Sequence, residues 1–502
     1  MQRRVFLQAL AASVASAPLV HAAQSTPESA LLKSDGMGLA HLIARGDFTA
    51  ADILSASIAR ARSANKRLNF MAHWAEPYGE EALSAVPKNA PLAGVPTLIK
   101  DLWVDMPGVP TTNGSRFWQG NVPAKASNLV TRYQAAGLVP FGKTTSPELG
   151  LTGTTESVQH GLTRNPWDPA KTAGGSSGGA GVAVAAGVVP IAHASDGGGS
   201  IRTPASCCGV FGLKPSRGRV PLGSGKTEGW LGLSTTHVIT RSVRDSALMM
   251  DLTSGPEIGA RYAAPPPKGG SFLAATLRAP SPLKVALMLS PPSGTAVDEA
   301  CLKAAEETAA LCERLGHSVV EAAPTLDAAA INDAMLAVLT IETKLALDAR
   351  AQQMGRSYSA DDVEPVTAWM ANLASKQSPT AYARANRVFQ KAAIDVGTFM
   401  QDFDVVLSPT LAKPPVSLGT LSLSPKDFDA YVEDVTTFGP FTAWANQTGL
   451  PSMSVPLHWG AGGLPIGSMF TGRYGEEETL FSLAAQLEKA QPWFHKRPAA
   501  LA

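Results

Sequence analysis

The run ASDGGGSIRTPASCCGVFGLKP, residues 194–215, sets three consecutive glycines between Asp196 and Ser200, with Arg202 two residues further on. Glycine is unfavourable in both helices and strands, so a triplet needs a cause. A flexible surface turn is one. The other is a backbone whose N–H groups must approach a reacting atom unobstructed, with Ser200 as a nucleophile beside an oxyanion hole. The run alone leaves both readings open.

Working outward, AGGSSGG at 173–179 matches G-x-S-x-G at Ser176 and again at Ser177. A nucleophile elbow must follow a strand; the preceding NPWDPAKTA carries two prolines and reads as a loop. GLVPFGKT at 137–144 fits the phosphate-loop pattern G-x-x-x-x-G-K-[ST]. Its context is wrong, because Gly137 reads as the cap of a helix and LVPFGK as a strand. Nucleotide binding through Lys143 is therefore a weak rival. Further upstream, Lys100 ends the apolar, strand-like run LAGVPTLIK (92–100). It either guards a sheet edge or is desolvated enough to serve as a neutral base.

Composition sets the bounds. The chain has 502 residues, 45% hydrophobic and 17% charged, with a formal net charge of +1, ample for a large core. Near-zero charge gives no electrostatic case for nucleic acid or an anionic membrane. MQRRVFLQALAASVASAPLVHAA, residues 1–23, reads as a signal peptide with Arg3-Arg4 in twin-arginine style, or as a Sec leader with two adjacent arginines. A periplasmic or secreted protein with no membrane insertion after leader removal is expected. Cys301 and Cys312 fall on one predicted helix roughly 16 Å apart, beyond the about 7 Å a disulfide allows. With the adjacent Cys207 and Cys208 they read as free, buried thiols. No CxxC or histidine-rich spacing suggests a metal site.

Helical patterns are expected over 38–65, with Thr49 as an N-cap. Another opens with a capping box at Ser242–Asp245. Strands are expected at 283–289, 318–321, 405–409 and 452–457, a helix near 297–315, and an Ala-rich helical region over about 328–402. PPPKGG (265–270) is the one tempting boundary. Strand and helix signals on both sides favour a single α/β domain over 24–502, with a central mixed sheet flanked by helices.

Taken together, KDLWVDMPGVPTTNGS (100–115), RNPWDPAKTAGGSSGGAGVAVAAG (164–187), SDGGGSIRTPASCCGVFGLKPSRGRV (195–220) and NQTGLPSMSVPL (446–457) resemble the amidase signature family. The likeness extends over nearly all of the mature chain. The three-glycine run and the ending GLPIGSMFTGRYGEEETL (463–480) resemble its 6-aminohexanoate-cyclic-dimer hydrolase-like subgroup. What the resemblance implies is an amidase acting on small-molecule amides through a Ser–Ser–Lys triad. Ser200 would be the nucleophile, Ser176 the relay on a cis peptide bond, and Lys100 the terminal base. Gly197, Gly198 and Gly199 would form the oxyanion hole, with Ser177, Asp196 and Arg202 as supports. No cofactor or metal is implied. The same chemistry would serve an esterase or carbamate hydrolase, and a non-catalytic binder or a homodimer stays open. The Ala-rich helical region over about 328–402, with Trp369 and Met370, is the expected cover of the pocket, core packing being the commoner use of any single residue there. Met469 stands where many relatives carry Gln, which puts substrate-side contacts in doubt. His193, His160 and His458 read as ordinary structural residues, since this triad uses no histidine.

Overall fold

Short apolar runs bounded by glycine and proline become strands, and both faces of the sheet they build are buried. The computed structural model describes residues 26–223 and 225–499; the predicted leader at 1–23 lies outside them. In chain order the strands are β1 (Met71–Trp74), β2 (Val95–Lys100), β3 (Leu138–Thr144), β4 (Glu156–Ser157), β5 (Gly161–Leu162), β6 (Ile191–Asp196), β7 (Phe211–Lys214), β8 (Thr235–Thr240), β9 (Lys284–Leu287), β10 (Ser318–Glu321), β11 (Val405–Pro409), β12 (Ser452–Trp459) and β13 (Pro465–Gly472). Eleven of them form one mixed sheet in the order β1-β3-β2-β6-β8-β7-β12-β13-β11-β9-β10, and β4 pairs with β5 in a small hairpin. The β3, β2 and β6 strands run parallel, as do β11, β9 and β10; β6 through β11 are joined by antiparallel pairs.

Side chains alternate across a strand, and the core records it. Ile99, Leu138, Ile191, Val238 and Phe470 enter one apolar cluster. Leu98, Val139, Ala192 and Ile239 enter a second, and Met469 a third. Lys100 shares the parity of Leu98 and so turns to the face covered by the buried helix Gly178–Ala185. The region over 328–402 resolves into three helices, Ala328–Met354, Pro365–Ala374 and Ala381–Phe399. Strands β9 and β10, beyond PPPKGG, extend the same sheet, so the chain is one α/β domain. Among the described residues no helix is long and apolar enough to cross a membrane.

Thr49 caps its helix through a reciprocal box with Asp52. The box expected at Ser242 forms only in one direction. Ser242 Oγ accepts the Asp245 N–H at 3.3 Å, but the Asp245 carboxylate instead accepts the N–H groups of Gly36 and Met37 at 2.6 and 3.0 Å. The unsatisfied donors at another helix's first turn outcompete the local partner. All four cysteines are free and buried.

Candidate active site

At the C-terminal end of β2, Lys100 is fully buried. Its Nζ lies 2.7 Å from Ser176 Oγ, 2.9 Å from Ser177 Oγ and 3.0 Å from Ser195 Oγ. Burial lowers its pKa from 10.5 to about 7, with the charge of Asp196 partly opposing the shift. The peptide bond Gly175–Ser176 is cis. Ser176 and Ser200 line one cavity of about 350 Å³, walled in part by Trp103, Trp230, Lys226 and Glu342. Ser200 is held by its backbone, its carbonyl accepting the Ser177 N–H at 3.3 Å.

The turn that carries Ser200 is fixed from below by Asp196 and Arg202, both fully buried. Arg202 donates to the Asp196 carboxylate through Nε at 3.1 Å and Nη2 at 2.9 Å, and to Asn446 Oδ1 at 2.7 Å. Burial works to raise the Asp196 pKa. The Arg202 guanidinium outweighs it and holds the carboxyl below its ordinary range. Removing one partner of such a buried pair typically costs about 3–5 kcal/mol.

Two of the three glycines have a spatial cause. A Cβ at Gly197 would lie 2.6 Å from the Trp230 ring, so the first glycine of the run is matched to an indole in the cavity wall. Gly199 adopts φ +140, and a Cβ there would meet Thr442 Oγ1 at 2.5 Å. Its expected role as an oxyanion donor does not hold, because its N–H donates to Asp196 Oδ1 at 2.8 Å. A carboxylate that closes a tight turn takes the nearest N–H groups, and Ile201 is held likewise at 3.0 Å. Gly197→Ala should destabilise the fold by ~1–3 kcal/mol, the usual cost of overpacking. A thermal unfolding midpoint equal to that of the wild type would remove Trp230 as the reason for this glycine.

Other expectations shift. Met469 is fully buried on β13 and its Sδ lies 3.6 Å from Arg202 Nη1; it belongs to the support beneath the turn, not to the substrate side. Trp369 and Met370 pack in an apolar cluster, Trp369 against Phe428. Within the region expected to cover the pocket, the long helix Ala328–Met354 presents Glu342, Thr343 and Ala346 to the cavity. His193 is buried and accepts the Lys100 backbone N–H at Nδ1, 3.2 Å away, and burial drops its pKa to about 3. It holds a strand, not the nucleophile. Lys143 of the phosphate-loop pattern sits inside the sheet, donating to Val104 O at 3.0 Å and Thr111 Oγ1 at 2.5 Å; strand β3 passes straight through the pattern. No sequence signal singles out Ser195, Thr442 or Asn446. Two of them still stand inside quoted stretches: Ser195 immediately precedes Asp196 in the opening run, and Asn446 begins the NQTGLP segment.

A mixed sheet that buries a lysine among serine hydroxyls, at the wall of a cavity floored by a glycine-rich turn, defines an amide-bond hydrolase. The Amidase family model matches residues 52–481. The chain is 33% identical to the 6-aminohexanoate-cyclic-dimer hydrolase of Paenarthrobacter ureafaciens, over 93% of this chain and 97% of that protein. Among solved structures, a 6-aminohexanoate cyclic dimer hydrolase complexed with substrate superposes with a TM-score of 0.88 at 31% identity, covering 94% of this chain and 100% of the other. A bacterial aryl acylamidase of the amidase signature family gives 0.83 at 26%, covering 93% and 99%. This chain belongs to the amidase signature family and is an amidase.

Proposed function

We propose that the protein is an exported amidase that hydrolyses linear or cyclic small-molecule amides through an acyl-Ser200 intermediate on a Ser200–Ser176–Lys100 triad. One observation carries this reading: a buried Lys100 Nζ 2.7 Å from Ser176 Oγ, in the wall of the cavity that Ser200 also lines. A serine hydroxyl is a weak nucleophile until a base takes its proton. In the reading, Ser200 Oγ attacks the amide carbonyl carbon while its proton passes to Ser176 Oγ and the Ser176 proton passes to Lys100 Nζ. The carbonyl π electrons become an oxyanion, stabilised by the N–H groups of Gly197, Gly198 and Ser200. Collapse breaks the C–N bond, and the proton returns from Lys100 through Ser176 to the leaving amine. Water then attacks the acyl-serine by the same relay, which releases the acid and restores Ser200.

Asp196 and Arg202 support the turn, and Ser177 and Ser195 hold the Lys100 amine in place. The helix Ala328–Met354 serves as the pocket cover. Cyclic amides are the favoured substrates because of the likeness to a cyclic-dimer hydrolase. Delivery to the periplasm or medium rests on Arg3-Arg4 and the apolar segment after them.

Only the neutral amine of Lys100 accepts a proton, and its fraction grows as pH rises through about 7. Acylation of Ser200 by a fluorophosphonate probe, located by peptide mass spectrometry, should therefore accelerate about tenfold per pH unit below 7 and level off above it. Labelling at Ser176 or Ser177 would reverse the relay. A rate on Ser200 that is flat from pH 5 to 9 would remove Lys100 as the base.

A further inference from the structure

A second cluster of chemically capable side chains lies immediately beside Lys100 and faces away from the cavity. Asp101 is fully buried. Its Oδ1 accepts the Thr112 N–H at 2.9 Å and lies 3.7 Å from Lys143 Nζ. Its Oδ2 is turned to two imidazoles, 3.5 Å from His73 Nε2 and 3.3 Å from His160 Nε2. Thr112 Oγ1 donates to the same Oδ2 and lies 2.9 Å from His160 Nε2. His73 sits on β1 and His160 in the turn between β4 and β5, so tertiary folding alone brings the three together.

The geometry is that of a ligand set. Tetrahedral zinc bonds nitrogen and oxygen at about 2.0–2.2 Å, which sets neighbouring ligand atoms roughly 3.3–3.5 Å apart. Both histidine–carboxylate separations match. The ligand atoms of all three residues lie within 4.8 Å of one another. His73 Nε2 is a buried atom with no hydrogen-bond partner among the described residues, its 3.5 Å approach to Asp101 Oδ2 being of ion-pair range only. The two oxygens of Asp101 divide the work: Oδ1 faces Thr112 and Lys143, and Oδ2 faces the histidines. Both imidazoles keep a little solvent exposure, 17% and 9% of their side chains, which opens a path from outside.

We propose that His73, Asp101 and His160 bind a divalent transition metal of the zinc type, with a fourth position left to water, tying β1, the end of β2 and the β4–β5 hairpin together. Two imidazoles and one carboxylate suit zinc and exclude magnesium, which takes oxygen ligands. The site lies off the proposed proton relay, because the neighbouring Lys100 amine points to the serines and not to this cluster.

The test uses tag-free, chelator-treated protein titrated with Zn²⁺, with Mg²⁺ as control, followed by calorimetry and thermal unfolding. One Zn²⁺ per chain is expected, with a raised melting midpoint and no response to Mg²⁺. His73→Gln and His160→Gln should each weaken zinc binding by about tenfold or more and abolish the zinc-induced rise in melting midpoint, measured against each variant's own zinc-free midpoint, while amide turnover stays at the wild-type value. Wild-type protein that takes up less than one Zn²⁺ per chain overturns the proposal without recourse to any variant. Full uptake with equal affinity in both variants overturns it as well, since the ion then binds elsewhere.

Discussion

Ser200→Ala should reduce amide turnover to the level of the uncatalysed reaction plus whatever binding and the oxyanion donors contribute. The loss expected for deleting a serine nucleophile is on the order of 10⁴- to 10⁶-fold in kcat. The fold should not notice. Ser200 is only partly buried, and what secures it is main chain: its carbonyl accepts the Ser177 N–H, and the next link, Thr203 N–H to Gly199 O at 2.7 Å, needs no side chain at 200. A melting midpoint close to wild type with abolished turnover and no fluorophosphonate adduct is therefore the expected pattern. Turnover within tenfold of wild type in a folded variant would end the proposed assignment of Ser200.

Lys100→Ala should be nearly as severe for the rate and different in kind. A positioned base contributes typically 10²–10⁴-fold, and here the base is also the group that returns the proton to the leaving amine. The substitution leaves Ser176, Ser177 and Ser195 facing one another without their common partner and opens a hole in the core. Lys100→Met is the companion variant, because it refills the volume and isolates the chemical loss. Steady-state rates for both should fall at least a hundredfold, and the inflection near pH 7 should vanish with the amine. If Lys100→Met keeps that inflection, another group is titrating and the relay ends elsewhere.

Much of this site is readable because its determinants are local. A glycine triplet before a serine raises a bare backbone beside a nucleophile as one of two readings, and the neighbouring motifs decide between them. Strand and helix limits follow in the same way from period and punctuation. The Thr49 box forms because its two partners stand within one helical turn. The Ser242 box fails for the complementary reason: Asp245 finds better donors at Gly36 and Met37, more than two hundred residues away in sequence. Gly199 departs from expectation on the same ground. From the run alone its N–H is as free as its neighbours', and only the folded turn commits it to Asp196.

Order and type of residues, then, were enough to give an α/β chain in a single domain and the likeness to one family, and through that likeness the proposed trio Lys100, Ser176 and Ser200. Folding decided what spacing cannot encode. It brought Ser195 to the lysine, gave Gly197 its reason in Trp230, sent Met469 beneath Arg202 and joined His73, Asp101 and His160 across three segments. The physical division is one of range. Backbone conformation and capping are settled within a few residues, whereas burial, and with it the fall of the Lys100 pKa to about 7, depends on every element that excludes water from the end of β2.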